Sequence, residues 1–374
     1  MPADVMIAHH RALSAWASVR RRGRSYMRIR RRLPIVVAVL LVAAAVALVV
    51  LLRKHAPPEP ARLLPGADGF VYINLQWMRR ANILGELPAV PHDPDYEQFI
   101  QATGFQFERD LDEAAFAIHY SPKSSQARQP RFSEVFVGKI QGERLASYLR
   151  KISSSTENYR SRDVYNIPLE GRTVRVAILG VDSVAASNVD DPQVIHGIID
   201  RSTKLASPFA GPALLRQYYR HVPLASLAWA IFKVDPSAEF LAMGPGGWST
   251  LLSQPAVMLA SLRYLGALRF RAVAFTGSVQ DAKNVTDRAS SFLSLFQAAE
   301  ISTGEQGPDP DVKALFDSLK IEQQKDRAVL TATVPVGFIR KALAETPADV
   351  TPEPAQPQSA APPPVAGKHK KAPK

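Results

Sequence analysis

Hydrophobic positions are distributed along this chain in three different ways. Between residues 33 and 52 (LPIVVAVLLVAAAVALVVLL) they are continuous: twenty positions without a charge and with one proline. A helix that crosses the hydrocarbon core of a bilayer needs about 20 such residues, and a buried helix in a soluble body is rarely apolar on every face for so long. The run predicts one transmembrane helix. From about residue 69 to 344 the apolar residues come in short runs with the period of strands or of helices. From residue 346 onward they are diluted by proline and alanine.

The periodic part reads as strands and helices in succession. In FVYINL, Val71, Ile73 and Leu75 share one face after a PGADG turn. Residues 95–103 predict a helix with Tyr96, Phe99 and Ile100 inward, ended by Gly104. DLDEAAFAIHY and SEVFVGKI predict two strands on either side of a polar loop at 121–130. Residues 141–152 carry Leu145, Tyr148, Leu149 and Ile152 at helical spacing, and DVYNIPL and TVRVAIL form a hairpin about Glu-Gly. Asp191 caps a helix that opens at Pro192 and buries Ile195, Ile198 and Ile199.

The second half follows the same order. LAWAIFKV answers AAFAIHY, and RFRAVAFTGSV answers RFSEVFVGKI. A helix at 281–299 points Val285, Ala289, Phe292, Leu293 and Phe296 inward, and another at 311–319 buries Val312, Leu315, Phe316 and Leu319. KIEQQ and AVLTATV form a hairpin around Lys325, Asp326 and Arg327, and residues 336–344 close the unit as a helix. The expected class is α+β: a duplicated unit of antiparallel sheet with helices on one face, after an N-terminal transmembrane helix. The expected divisions are a basic cytoplasmic stub (1–32), the span (33–52), a Pro-rich spacer (53–65), two α+β halves (66–208 and 209–345) and a disordered Pro/Ala/Lys tail (346–374).

Charge sets the orientation and removes one class of partner. Residues 1–32 hold nine arginines and one acid, whereas only Arg53 and Lys54 follow the span closely, so the N-terminus is expected in the cytoplasm and the body outside it. A start at Met27 would leave this anchor complete. The apolar run exceeds the 7–15 residues of a cleaved signal, and RKHAPPEPA offers no A-x-A site, so an uncleaved anchor is expected. The net charge of +12 arises from +8 in the stub, +2 after the span and +4 from Lys368, Lys370, Lys371 and Lys374, which leaves residues 55–367 near −2. Nucleic acid is therefore not an expected partner. The bilayer is, together with an envelope protein or an anionic envelope polymer at the tail lysines; the oligomeric state is left open.

Chemistry is sparse. With no cysteine there is no disulfide, thiolate metal site or catalytic thiol. The histidines (His9, His10, His55, His92, His119, His196, His221 and His369) form no metal-ligand pattern. Asp93, Asp95 and Glu97 resemble the start of a calcium loop but lack its glycine and distal Glu, so helix capping is the expected role. Glu108, Asp110, Asp112 and Glu113 precede a strand and are expected to form turns, with a carboxylate-based hydrolase or transferase site at Asp110 and Asp112 as the alternative. Residues 244–247 (GPGG) lack the context of a phosphate loop, and G-x-S-x-G is missing. No catalytic, cofactor-binding or metal residue and no cofactor is assigned.

The stretch TGFQFERDLDEAAFAI, with Thr-Gly-Phe followed by Asp-Leu-Asp and a strand, resembles a group of bacterial single-pass envelope proteins of unknown function. These share the single anchor, an α+β outer part and a late segment like DVKALFDSLKIEQQKDRAVLTATV. The resemblance implies a bacterial inner-membrane protein facing the periplasm, and it transfers no functional residue. The expected function is a membrane-anchored periplasmic binding or scaffold protein rather than an enzyme, with a single-pass sensor as a further alternative.

Overall fold

The computed structural model of the protein describes residues 56–82, 92–120, 131–169, 171–203, 211–236, 251–302 and 310–339. The expected span, the stub, the tail, the GPGG stretch and most of the closing helix lie outside these residues. Among the described residues no helix is long and apolar enough to cross a membrane.

One antiparallel sheet of twelve strands organises the body, in the order β11-β12-β10-β9-β8-β1-β2-β3-β7-β6-β5-β4. The first half supplies β1 (Gly69–Asn74), β2 (Leu111–His119), β3 (Arg131–Gly138), β4 (Ser155–Tyr159), β5 (Arg162–Leu169), β6 (Arg172–Ile178) and β7 (Ser183–Ser187). The second half supplies β8 (Ser226–Val234), β9 (Ala256–Tyr264), β10 (Leu268–Phe275), β11 (Lys320–Gln324) and β12 (Arg327–Val334). The halves join where β1 pairs with β8, from Gly69 opposite Phe232 to Ile73 opposite Ala228.

From that central pair the chain takes the same course in both directions. β1, β2 and β3 lie side by side, a helix follows, and the chain returns so that β7 pairs with β3. β8, β9 and β10 do the same, and β12 returns to β10. This course differs from the expected correspondence: the counterpart of β8 is β1 rather than β2, and β9, the counterpart of β2, was not expected as an element.

Helices lie on both faces, not on one as expected. The reason is visible on β2, where both faces are apolar: Ala115 and Ala117 belong to the main core, while Ala114 and Phe116 join a second cluster behind the sheet. The main core takes its cover from α1 (Glu59–Leu63), α6 (Gln193–Thr203) and α7 (Ala213–Tyr218). The opposite face is covered by α2 (Leu75–Arg80), α3 (Pro94–Thr103) and α8 (Val279–Ser302), whose Met78, Phe99 and Val285 pack on three smaller clusters. The remaining helices are the one-turn α4 (Phe107–Asp110), α5 (Gly142–Ile152) beside α3, and α9 (Pro310–Ser318). Fully buried Phe70, Ile231 and Leu259 tie both halves to the same core, each at about 1.5–3 kcal/mol of burial free energy.

Several local expectations hold. Asp93 caps α3 by accepting from the Tyr96 amide at 2.8 Å, and Gly104 ends it at φ 72°. Asp191 accepts from the Gln193 amide at 2.9 Å at the start of α6, where Ile195, Ile198 and Ile199 are fully buried. Others are corrected. Residues 59–64 of the stretch read as a spacer pack inward, with Ala61 and Leu64 essentially inaccessible, because the prolines start a short helix instead of an extended arm. Phe292 is 54 % exposed rather than inward. Its helix has 24 residues, about 36 Å, and so outruns the strands β11 and β12, which span about 17 and 27 Å.

Candidate functional site

The first face of the sheet carries its polar chemistry along one side of the core, in rows that cross the strands. Tyr72 of β1 stands opposite Trp229 of β8, and their rings stack at 5.6 Å with planes 22° apart. Tyr219, in the 3-10 turn after α7, meets Trp229 edge-on at 5.3 Å and closes this aromatic centre. On one flank of it are carboxylates, and on the other are arginines.

The carboxylate flank is a cavity of about 300 Å³ beneath the start of α1. Pro58, Glu59 and Leu63 form its roof, Tyr72 and Glu113 its floor, and Asp182 its rim. Register explains the floor: Glu113 is opposite Asn74 on β1 and Val137 on β3, two positions along from the Tyr72 row. The Tyr72 hydroxyl accepts from Asn74 Nδ2 at 3.2 Å, and the Glu113 carboxylate lines the same cavity. Burial pushes the Tyr72 phenol well above its ordinary value, and Glu113 adds to the shift. Burial likewise raises the Glu113 carboxyl, with Asp112, Glu59 and Asp182 adding like charge against the lowering effect of the Tyr72 hydrogen bond.

The arginine flank lies on β9 and β10. Arg263 stands opposite Arg269, and Arg271 opposite Ser261, all on the face that carries Leu259 and Val273 into the main core. Arg327 of β12 lies over the Phe275 ring at 4.8 Å, and His221 sits 5.0 Å from the same ring. The sequence reading missed this group because the body is slightly acidic as a whole. A signal was present in RYLGALRFR: a tight turn at Gly266 brings the arginines three positions on either side of it face to face.

Most of the sequence-predicted carboxylates have structural partners. Asp110 is buried and accepts from the Gln106 amide at 3.0 Å and from Arg109 at 2.6 Å; the Arg109 guanidinium holds its carboxyl below the usual range. Asp112 pairs with Arg79 at 2.6 Å. Glu108 accepts from the Tyr96 hydroxyl at 2.8 Å, and burial pushes that phenol up to about 12. Glu97 meets His92 at 2.8 Å. Asp110 and Asp112 are thus each engaged by a different arginine, and Glu113 lines the cavity beneath α1.

The described histidines are dispersed. His196 stacks on Tyr159 at 3.9 Å beside Glu157, His119 lies near Ser133, and His221 accepts from Arg220. Among the described residues no group of three or more His, Cys, Asp or Glu is placed to hold a metal ion. The face thus presents charge of both signs around an aromatic centre, which suits binding of polar groups.

No family model matches the chain, and no curated protein matches it. Among solved structures it is similar to crystal form III of TP0453, with a TM-score of 0.42 and 10 % identity over 77 % of this chain and 98 % of that one. It is similar also to crystal form I of TP0453, with a TM-score of 0.42 and 9 % identity over 77 % of this chain and 97 % of that one.

Proposed function

We propose that this chain is a single-pass protein of the bacterial inner membrane, with a cytoplasmic N-terminus and a periplasmic body that binds or scaffolds a partner there. The observation that supports this most directly is the place of α1. Only residues 53–58 separate the apolar run from a helix whose Ala61 and Leu64 are locked in the core. Six extended residues reach about 20 Å, so the cavity roofed by Pro58 and Glu59 would lie within that distance of the bilayer. A body held so close, with charge displayed on a broad sheet, is arranged to receive something at the membrane surface. The matching courses of the chain on either side of the β1–β8 pair support an ancestral duplication of an α+β unit.

The chain has no cysteine, so single introduced cysteines report topology cleanly. Ser155→Cys, at an exposed position of β4, is expected to react with an impermeant maleimide in cells whose outer membrane has been opened, and Ser14→Cys only after lysis. The opposite labelling pattern refutes the orientation. Crosslinking in intact cells, comparing the full chain with one ending at residue 344, tests binding: a specific envelope protein recovered with both places the contact on the body, whereas recovery of none counts against a scaffold.

A further inference from the structure

We infer that the arginine flank, where Arg263, Arg269 and Arg271 converge on β9 and β10, is a binding site for a phosphate-class oxyanion. The turn places Arg263 directly opposite Arg269, with Leu265 N donating to the Ala267 carbonyl at 3.0 Å and Gly266 at φ 74°. Opposed residues on antiparallel strands hold their Cβ atoms about 5 Å apart, and Arg271 follows on the same face about 7 Å along β10. Like charges so placed oppose folding. Among the described residues none of the three has a hydrogen-bond or ion-pair partner for its guanidinium. Arg263 and Arg271 are also half-buried, so water relieves the repulsion only in part.

The surroundings deepen the deficit of acceptors. Arg271 has Ser261 on one side and Thr331 on the other, and the Ser261 hydroxyl donates to the Arg271 carbonyl. In the same cross-strand row Trp229 is 3 % exposed and its indole N–H has no acceptor. Burial, together with Arg327, Arg220 and Arg271, lowers the His221 pKa, as expected beside a positive field. Among the described residues this is a concentration of donors and cations in which no carboxylate pairs with Arg263, Arg269 or Arg271, the nearby Asp326 lying against Arg327 at 3.6 Å. Guanidinium groups bind phosphate oxygens in a bidentate manner, and a phosphate ester carries about −1.5 to −2 at neutral pH, which suits three arginines better than a single carboxylate does. The patch occupies one hairpin of a slightly acidic body, too short a track for a nucleic-acid backbone.

The test uses the full chain in detergent at low salt, titrated with pyrophosphate and, separately, with dihexanoyl phosphatidylglycerol. Saturable binding is expected by calorimetry, weakened at least about tenfold in Arg271→Gln and in Arg269→Gln and unchanged in Lys283→Gln on the opposite face. Arg269 is exposed, so its variant keeps the test informative if Arg271→Gln folds poorly. Pyrophosphate is also expected to raise the melting temperature of the parent chain but not that of Arg271→Gln. A clear preference for the lipid assigns a headgroup as the ligand, and a preference for pyrophosphate assigns a soluble phosphorylated one. Absence of saturable binding to both, or equal affinity in all four proteins, overturns the proposal and leaves a solvated arginine face.

Discussion

Trp229 and Tyr72 stack across the single strand pair that joins the two halves of the sheet, with ring centroids 5.6 Å apart. Trp229→Ala removes this stack and the edge contact of Tyr219, and is expected to cost about 3–5 kcal/mol. Because both halves share one core, urea unfolding of the parent should give a single transition by near- and far-ultraviolet circular dichroism. Two separated transitions would show that the β1–β8 seam is weak.

Gly138 lies where β3 runs against the Asp110 carbonyl, so close that a Cβ there would overlap it. The neighbouring Lys139 amide donates to that same carbonyl at 2.9 Å, which fixes the approach. Gly138→Ala is expected to destabilise by about 1–3 kcal/mol, the usual cost of forcing atoms into a packed site, measured by chemical denaturation.

Asp110 and Glu113 should respond oppositely to pH. Asp110 is held below its ordinary value by Arg109, so its contribution is present above about pH 4 and is lost as pH falls through the depressed folded value. Asp110→Asn should therefore be less stable than the parent at pH 7, with the difference closing at acid pH. Glu113 is raised by burial, so its contribution is present below about pH 4.3 and is lost as pH rises through the folded value. Glu113→Gln, which removes the buried charge, is expected to melt above the parent at pH 7 and to lose that advantage towards pH 4. Thermal melts across this range check both signs.

Leu64, 1 % exposed at the end of α1, belongs to the same core as Phe70 and Ile195. Leu64→Ala is expected to cost about 2–5 kcal/mol, and a body begun at Gly66 should be still less stable. Equal stability of that shorter body, measured by urea denaturation, would mean that α1 is ornamental.

The sequence revealed most elements whose two sides differ. The inward stripe of residues 195, 198 and 199 follows from a helix with one buried side, whereas in FVYINL the main core takes Phe70 and Tyr72 rather than the Val71 and Ile73 face, and Leu75 starts α2. β4 escaped because STENY is an exposed edge strand with no apolar side to betray it. β7 escaped for another reason: SVAAS is short and small, although it lies between β3 and β6 with Ala185 fully buried. AVMLASLRY is apolar on both sides and gave no clear period, yet β9 is central to the second half. The same two-sidedness in AAFAI is why helices on one face were expected and helices on both were found. For the candidate site, a net charge summed over residues 55–367 could not show that arginines gather on one hairpin and carboxylates under α1.

The seam between the halves also governs how this protein can be made. β1 finds β2 on one edge soon after synthesis, but its other edge must wait for β8, about 150 residues later. A chain synthesised in order would hold that hydrogen-bonding edge open throughout the wait, inviting pairing with a neighbour. Synthesis of this protein thus poses a timing problem, and a stalled or truncated chain that stops before Ser226 would be a candidate for aggregation and for rapid proteolysis.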